Sequence, residues 1–250
     1  MRTWKASPGI CKDCGAPAKP LQIGSQTVPG FLCEKCDKAT AEQIAATEKE
    51  LQEAKDRAYR DRTRQLFEQS NLGVKFERAT FAAFEKRQGT EGALSACKKW
   101  ANGYPPKHGQ GLVIEGPTGS GKTHLAAAIT HDLLEKGIEV IFQSVPDLLL
   151  RIRGTFNKNS ELTEEQIMRR LIEVEVLVLD DLGAEKMTDW TETTIYNLID
   201  QRYRHERPII ITTNLNLGEI GDRIGPRTMD RLAESYVSVK LKATSYRRRA

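Results

Sequence analysis

Gly116-Pro117-Thr118-Gly119-Ser120-Gly121-Lys122-Thr123 fits the pattern GxxxxGK[ST] without a mismatch, and its reading decides the fold. Leu112-Val113-Ile114, just before it, reads as a buried strand. His124-Leu125-Ala126-Ala127-Ala128-Ile129, just after it, is a strong helix former. Strand, glycine-rich loop and helix in that order make a phosphate-binding loop. Glycines reach dihedrals that a Cβ forbids, so backbone N–H groups can curl around phosphate oxygens. The helix N-terminus turns its positive dipole end to the same anion. The candidate nucleotide contacts are therefore Gly116, Pro117, Thr118, Gly119, Ser120, Gly121, Lys122, Thr123 and His124. Lys122 is expected at the β- and γ-phosphates, and the Thr123 hydroxyl on Mg²⁺.

Outward from this loop, strand and helix signals alternate. Strands are predicted at 111–115, 139–143, 175–180, 208–212 and 236–240, and helices near 90–101, 122–136, 145–153, 164–173, 190–205 and 226–234. Continuous apolar strands such as Val176-Leu177-Val178-Leu179 indicate a sheet covered on both faces. The fold class is thus α/β: a P-loop NTPase core on a mainly parallel sheet with right-handed crossovers.

Two strands end in groups suited to nucleotide chemistry. Val176-Leu177-Val178-Leu179 runs into Asp180-Asp181, with Asp180 placed to hold Mg²⁺ and Asp181 to orient or deprotonate an attacking water. A strand-end acid pair can also cap a turn, but a phosphate loop upstream favours the catalytic role. Ile209-Ile210-Ile211-Thr212-Thr213 ends in Asn214. If that strand lies between the loop strand and the acid strand, the Asn214 amide sits beside the γ-phosphate, where it can donate to phosphate and accept from water. Further on, Arg227 and Arg231 share one face of the helix from 226. Such a pair serves either a salt-bridged surface or a phosphate bound by a neighbouring subunit.

The chain has 250 residues, 39% of them hydrophobic and 29% charged, which suits a globular protein rather than a disordered one. No apolar run reaches membrane-span length and no apolar signal region follows Met1, so a cytoplasmic location is expected. Of the 5 cysteines, Cys11/Cys14 and Cys33/Cys36 form two CxxC pairs separated by 18 residues, the spacing of a four-thiolate zinc site. The intervening stretch holds Pro17, Pro20, Gly24, Pro29 and Gly30 and is too short and broken for its own core, so Zn²⁺ is expected to supply its folding energy. Cys97 is expected to be a buried packing residue. Three sections result: a zinc-binding module at 1–38, a helical linker at 39–75 and the ATPase domain at 76–250. The polar helix within the linker serves either as a solvated connector or as a docking helix.

Over residues 76–250 the chain resembles the AAA+ ATPases of the DnaC/DnaI-type bacterial replicative helicase loaders, with the IstB transposition helper a close cousin. The resemblance rests on Gly-Lys-Thr-His-Leu-Ala-Ala-Ala-Ile (121–129), Leu-Val-Leu-Asp-Asp-Leu-Gly-Ala-Glu (177–185), Ile-Thr-Thr-Asn-Leu (211–215), Arg-Thr-Met-Asp-Arg-Leu (227–232) and Ser-Tyr-Arg (245–247). It implies that Asn214 is the first sensor and that Arg231 is the arginine finger completing a neighbour's site. It also implies that Arg227 is a second arginine of that motif and that Arg247 is the second sensor. One departure is Asp181 in place of the usual glutamate, which draws the base back by one methylene and implies slow hydrolysis.

The resemblance further implies ATP as cofactor, an ATP-ordered oligomer, and a replicative DNA helicase and single-stranded DNA as partners. Arg151, Arg153 and Lys158, in the insertion between the second and third sheet strands, are the candidate DNA contacts, with a solvated basic face as the other reading. The expected function is loading of the replicative helicase during replication initiation. The alternatives are a transposition helper ATPase and an ATP-bound adaptor with little hydrolysis.

Overall fold

A computed structural model of the chain describes residues 9–11, 14–23, 26–33, 48–55, 58, 70–156 and 163–246. The chain divides into two compact units, Met1–Asp61 and Arg62–Ala250. In the first unit, β1 (Gly9–Ile10), β2 (Pro17–Ile23) and β3 (Gln26–Cys33) form an antiparallel sheet in the order β1-β2-β3. Residues 48–55 are helical and are labelled α1. The hairpin was not foreseen, because three prolines in 16–32 argue against strands. It tolerates them with a register irregularity between Pro20 and Leu21.

The second unit is built on five parallel strands: β4 (Gly111–Glu115), β5 (Val140–Ser144), β6 (Val176–Leu182), β7 (Ile209–Thr213) and β8 (Tyr236–Lys240). Their order is β5-β6-β7-β4-β8. The helices are α2 (Glu91–Asn102), α3 (Lys122–Glu135), α4 (Val145–Gly154), α5 (Glu164–Glu173), α6 (Asp189–Arg204), α7 (Leu217–Ile224) and α8 (Pro226–Ser235). Eleven of these elements, all but α7, lie within two residues of the predicted ranges at either end.

Side chains alternate across each strand and fill two cores. Leu112, Ile114, Val176, Val178 and Ile210 pack with α2 and α3 on one face. Val113, Leu177, Leu179, Ile209 and Ile211 pack with α4 to α8 on the other. Cys97 on α2 is fully buried in the first core, as expected of a packing residue, and burial pushes its thiol up to about 12. Arg202 on α6 is fully buried as well. Its guanidinium donates to the carbonyls of Leu171, Ile172 and Val174 at the end of α5, and to those of Glu175 and Pro208 beside β6 and β7. A single cation thus fastens one helix end and two strand starts to α6.

α7 is a helix the sequence reading lacks. A capping box starts it: Asn216 and Glu219 each accept the other's backbone N–H. Gly218 and Gly221 lower its intrinsic propensity and hide it. Gly225, at φ 84°, separates it from α8, so Arg223 belongs to a different helix from Arg227 and Arg231. No helix among the described residues is long and apolar enough to cross a membrane.

Candidate nucleotide site

The strand order puts β7 between β6 and β4, so the carboxyl ends of the three central parallel strands lie side by side. The phosphate loop leaves β4 there. Gly119 and Gly121 adopt left-handed φ of 78° and 110°, which glycine alone takes up easily. Gly121 is the N-cap of α3, and Leu125 N–H closes the first turn on its carbonyl at 3.0 Å. Lys122 folds back over the loop: Nζ donates to Gly116 O at 2.9 Å, Pro117 O at 3.1 Å and Asn214 Oδ1 at 2.5 Å. Its side chain is buried, and its charge also acts on the Asp180 carboxyl.

The acid pair sits in a break of the β6 ladder, between Leu179 and Leu182. Asp181 takes a left-handed φ of 57°, and its N–H donates to Thr212 Oγ1 at 3.0 Å. This bulge gives two consecutive acids different surroundings. Asp180 stays buried and accepts from Thr212 Oγ1 at 2.5 Å and from the Thr123 hydroxyl. Burial pushes its carboxyl above the ordinary aspartate range, the Thr212 hydrogen bond opposes that rise, and the Asp181 charge adds to it. Asp181 instead lines the open cleft.

That cleft has a volume of about 500 Å³. It is lined by Gly119, Gly121, Lys122, Thr123, His124, Asp181 and Asn214, together with Phe76, Phe84, Glu85, Arg87 and Tyr246. His124 is fixed by its Nε2 contact to Thr80 O at 2.9 Å and by the edge of Phe84. The aromatic residues and Arg87 in this lining were not foreseen from the sequence. Arg87 donates to Ser120 O at 3.2 Å and Thr244 O at 2.9 Å, and its guanidinium lies 5.4 Å from the Tyr246 ring centroid. Tyr246 N–H donates to Gly119 O at 2.8 Å. No pattern in the sequence ties Arg87 to a loop far along the chain.

The residues present fit a magnesium nucleotide. A loop of left-handed glycines at a helix N-terminus suits phosphate oxygens. The mutually bonded Thr123 and Asp180 are oxygen donors suited to a hard cation.

The other candidate residues lie elsewhere. Arg227 is exposed on α8 and lines a separate cleft with Glu192 and Tyr196. Arg231 bonds Asp200 on α6. Arg223 bonds the carbonyl of Gly183, just after the acid pair. Arg151 is exposed on α4, whereas Arg153 stacks on Trp190 at 4.8 Å, with Phe156 edge-on to the same ring. Lys158, Arg247, Cys36 and the side chain of Cys33 lie outside the described residues. Cys11 and Cys14 flank a tight turn in which Gly15 N–H donates to Cys11 O at 2.9 Å.

Comparison with known proteins agrees with this geometry. The model of the IstB-like ATP binding protein family matches residues 33–250. The replicative helicase loader DnaC of Escherichia coli strain K12 is 29% identical over 77% of this chain and 80% of its own length. The crystal structure of the DnaC helicase loader aligns with a TM-score of 0.62 and 27% identity, covering 68% of this chain and 100% of that one. The crystal structure of DnaI shares the fold, with a TM-score of 0.59 at 23% identity over 69% of this chain and 93% of its own. A phosphate loop whose lysine, strand-end acids and strand-end amide converge at the carboxyl ends of the central strands, within a family match spanning most of the sequence, leads to one assignment: the chain belongs to the IstB-like ATP-binding protein family.

Proposed function

We propose that this protein is an ATP-dependent loader of a replicative DNA helicase onto single-stranded DNA, acting in the cytoplasm during replication initiation. The observation that carries the reading is the meeting of Lys122, Asp180, Asp181 and Asn214 at one cleft in a chain that aligns with most of DnaC. Lys122 and the loop amides hold the phosphates, and Thr123 and Asp180 hold Mg²⁺. When bound, Mg²⁺ neutralises developing charge on the phosphates. Asp181 orients the attacking water, and Asn214 spans that water and the γ-phosphate. Hydrolysis is slow, because an aspartate reaches one methylene less far than a glutamate.

Arg231 acts in trans, on the nucleotide of a neighbouring copy, with Arg227 beside it and Arg247 sensing the γ-phosphate from within its own chain. Its place outside its own chain's cleft supports this reading. Single-stranded DNA contacts Arg151, Arg153 and Lys158. The exposed Phe156 and the Trp190 ring beneath Arg153 support it, since aromatic faces stack bases and guanidinium groups bind phosphate. The segments at 1–38, 39–75 and 76–250 serve as zinc module, linker and motor. Zinc is held by Cys11, Cys14, Cys33 and Cys36. Its support is the sheet register: Ile10 lies opposite Pro17, and Ala18 lies opposite Cys33, so the first CxxC and the start of the second leave the same end of the sheet.

The test is capture of the purified replicative helicase by the full chain with and without ATP, followed by helicase transfer to single-stranded DNA. ATP-dependent capture and transfer is the expected result. Failure of both, with ATP binding intact, overturns the loader reading.

A further inference from the structure

Arg231 on α8 is gripped from the side by α6. Its Nε donates to Asp200 Oδ1 at 3.2 Å, and its guanidinium carbon lies 4.5 Å from the Tyr203 ring centroid. Asp200 and Tyr203 stand at i and i+3 and so share one face of α6. The Asp200 side chain is only 6% exposed, while those of its two partners, Arg204 and Arg231, are 62% and 35% exposed. Arg204 Nε holds the second carboxylate oxygen at 2.7 Å. An enclosed carboxylate is costly unless fully paired, and apolar packing would join two helices as well or better. What the carboxylate adds is direction. Only Nε is bonded to Asp200, so the two-Nη edge is not taken up by the carboxylate, while the Tyr203 side chain holds the guanidinium from beside it. That edge is suited to a bidentate grip on phosphate.

We propose that Asp200 is a positioning residue for Arg231, setting the guanidinium so that its Nη edge meets the nucleotide bound by a second copy of this chain. The proposal rests on the trans reading of Arg231. Arg204 has a separate part: it remains on Asp200 when Arg231 leans towards phosphate, so the buried carboxylate keeps a partner throughout. α6 is a firm base for this device, because Arg202 fastens it to α5, β6 and β7 through five carbonyls.

The experiment follows single-turnover ATP hydrolysis and ATP affinity in the full chain for Arg231→Ala, Asp200→Ala, Asp200→Asn and the double variant Asp200→Ala/Arg231→Ala. Asp200→Ala is expected to slow hydrolysis at least about tenfold, the scale of a small misplacement, with ATP affinity unchanged. The double variant should be no slower than Arg231→Ala alone, because both changes disable one device. Mixing Asp200→Ala chains with Lys122→Ala chains should restore turnover, since the second chain brings an intact Arg231 to the first chain's phosphate loop. Mere misfolding would not be repaired this way. If Asp200→Ala does not fold, Asp200→Asn decides: it keeps an acceptor but no charge, and its rate should fall between wild type and Arg231→Ala. Wild-type hydrolysis by the folded Asp200 variant, or losses that multiply in the double variant, would overturn the positioning role. A wild-type rate for Arg231→Ala would instead remove the trans reading itself.

Discussion

Lys122 Nζ donates to Asn214 Oδ1 at 2.5 Å, joining the phosphate loop of β4 to the tip of β7. The two carbonyls of Gly116 and Pro117 complete the hold. In the proposed function, bound phosphates would draw Lys122 from these three oxygens, and Asn214 would lose that contact. On that proposal, the amide that would position water is also the one that touches the lysine of the loop.

Lys122→Ala should weaken ATP binding by at least about 2 kcal/mol, or about thirtyfold in Kd, because it removes a buried cation from the phosphates. Asn214→Ala should leave ATP affinity closer to wild type and reduce hydrolysis. Calorimetry and single-turnover rates separate the two. Wild-type ATP affinity in Lys122→Ala would show the loop to be misassigned.

Arg202→Met should lower stability by about 3–5 kcal/mol, since carbonyls at the end of α5 and beside β7 lose their buried donor. Arg202→Lys should fall between Met and wild type, because an ammonium lacks the planar fork. Urea unfolding reads both, and an unchanged midpoint for Arg202→Met would contradict the fastening role.

Gly119→Ala should impair folding and ATP binding together. A Cβ there would lie 2.3 Å from Ser245 Oγ, on a backbone at φ +78° that costs an L-residue about 1–2 kcal/mol. Adding Ser245→Gly should recover the part due to the collision and leave the part due to backbone strain. No recovery in the thermal midpoint would mean that strain alone is at work.

Thiol counting should divide the 5 cysteines into two classes. Zinc at one ion per chain should shield Cys11, Cys14, Cys33 and Cys36 until a chelator is added. Cys97, fully buried with its thiol raised to about 12, should react only after denaturant. Cys33→Ser should lose zinc and keep ATP binding. Full reactivity of every thiol in zinc-loaded native protein would refute both assignments.

The phosphate loop and the sheet were legible because buried parallel strands leave continuous apolar runs and the loop needs glycines at fixed spacing. Asn214 was legible as the polar end of an apolar strand, but the place of that strand was only a condition, because alternation of elements does not set strand order; the fold lays β7 between β6 and β4. α7 was obscured by Gly218 and Gly221, although its Asn216/Glu219 capping box is written in the sequence. Arg87 on Ser120, Asp200 under Arg231 and Arg153 on Trp190 were not legible. Each joins groups distant along the chain, and neither periodicity nor local propensity records such a meeting.

Leu241 N–H donates to Glu115 O at 2.8 Å, and Tyr246 N–H reaches Gly119 O at the same distance, so the segment after β8 lies along the phosphate loop. β8 itself pairs with β4, Gly111 opposite Tyr236 and Glu115 opposite Lys240. On the ribosome, β4 and its loop emerge early, and β8 follows every other strand of that sheet. A growing chain therefore carries Lys122 and all the loop glycines while β4 still has one unpaired edge. Translation orders the arrival of nucleotide competence: the binding sequence is made first, and the neighbour that sets its outline is made long afterwards.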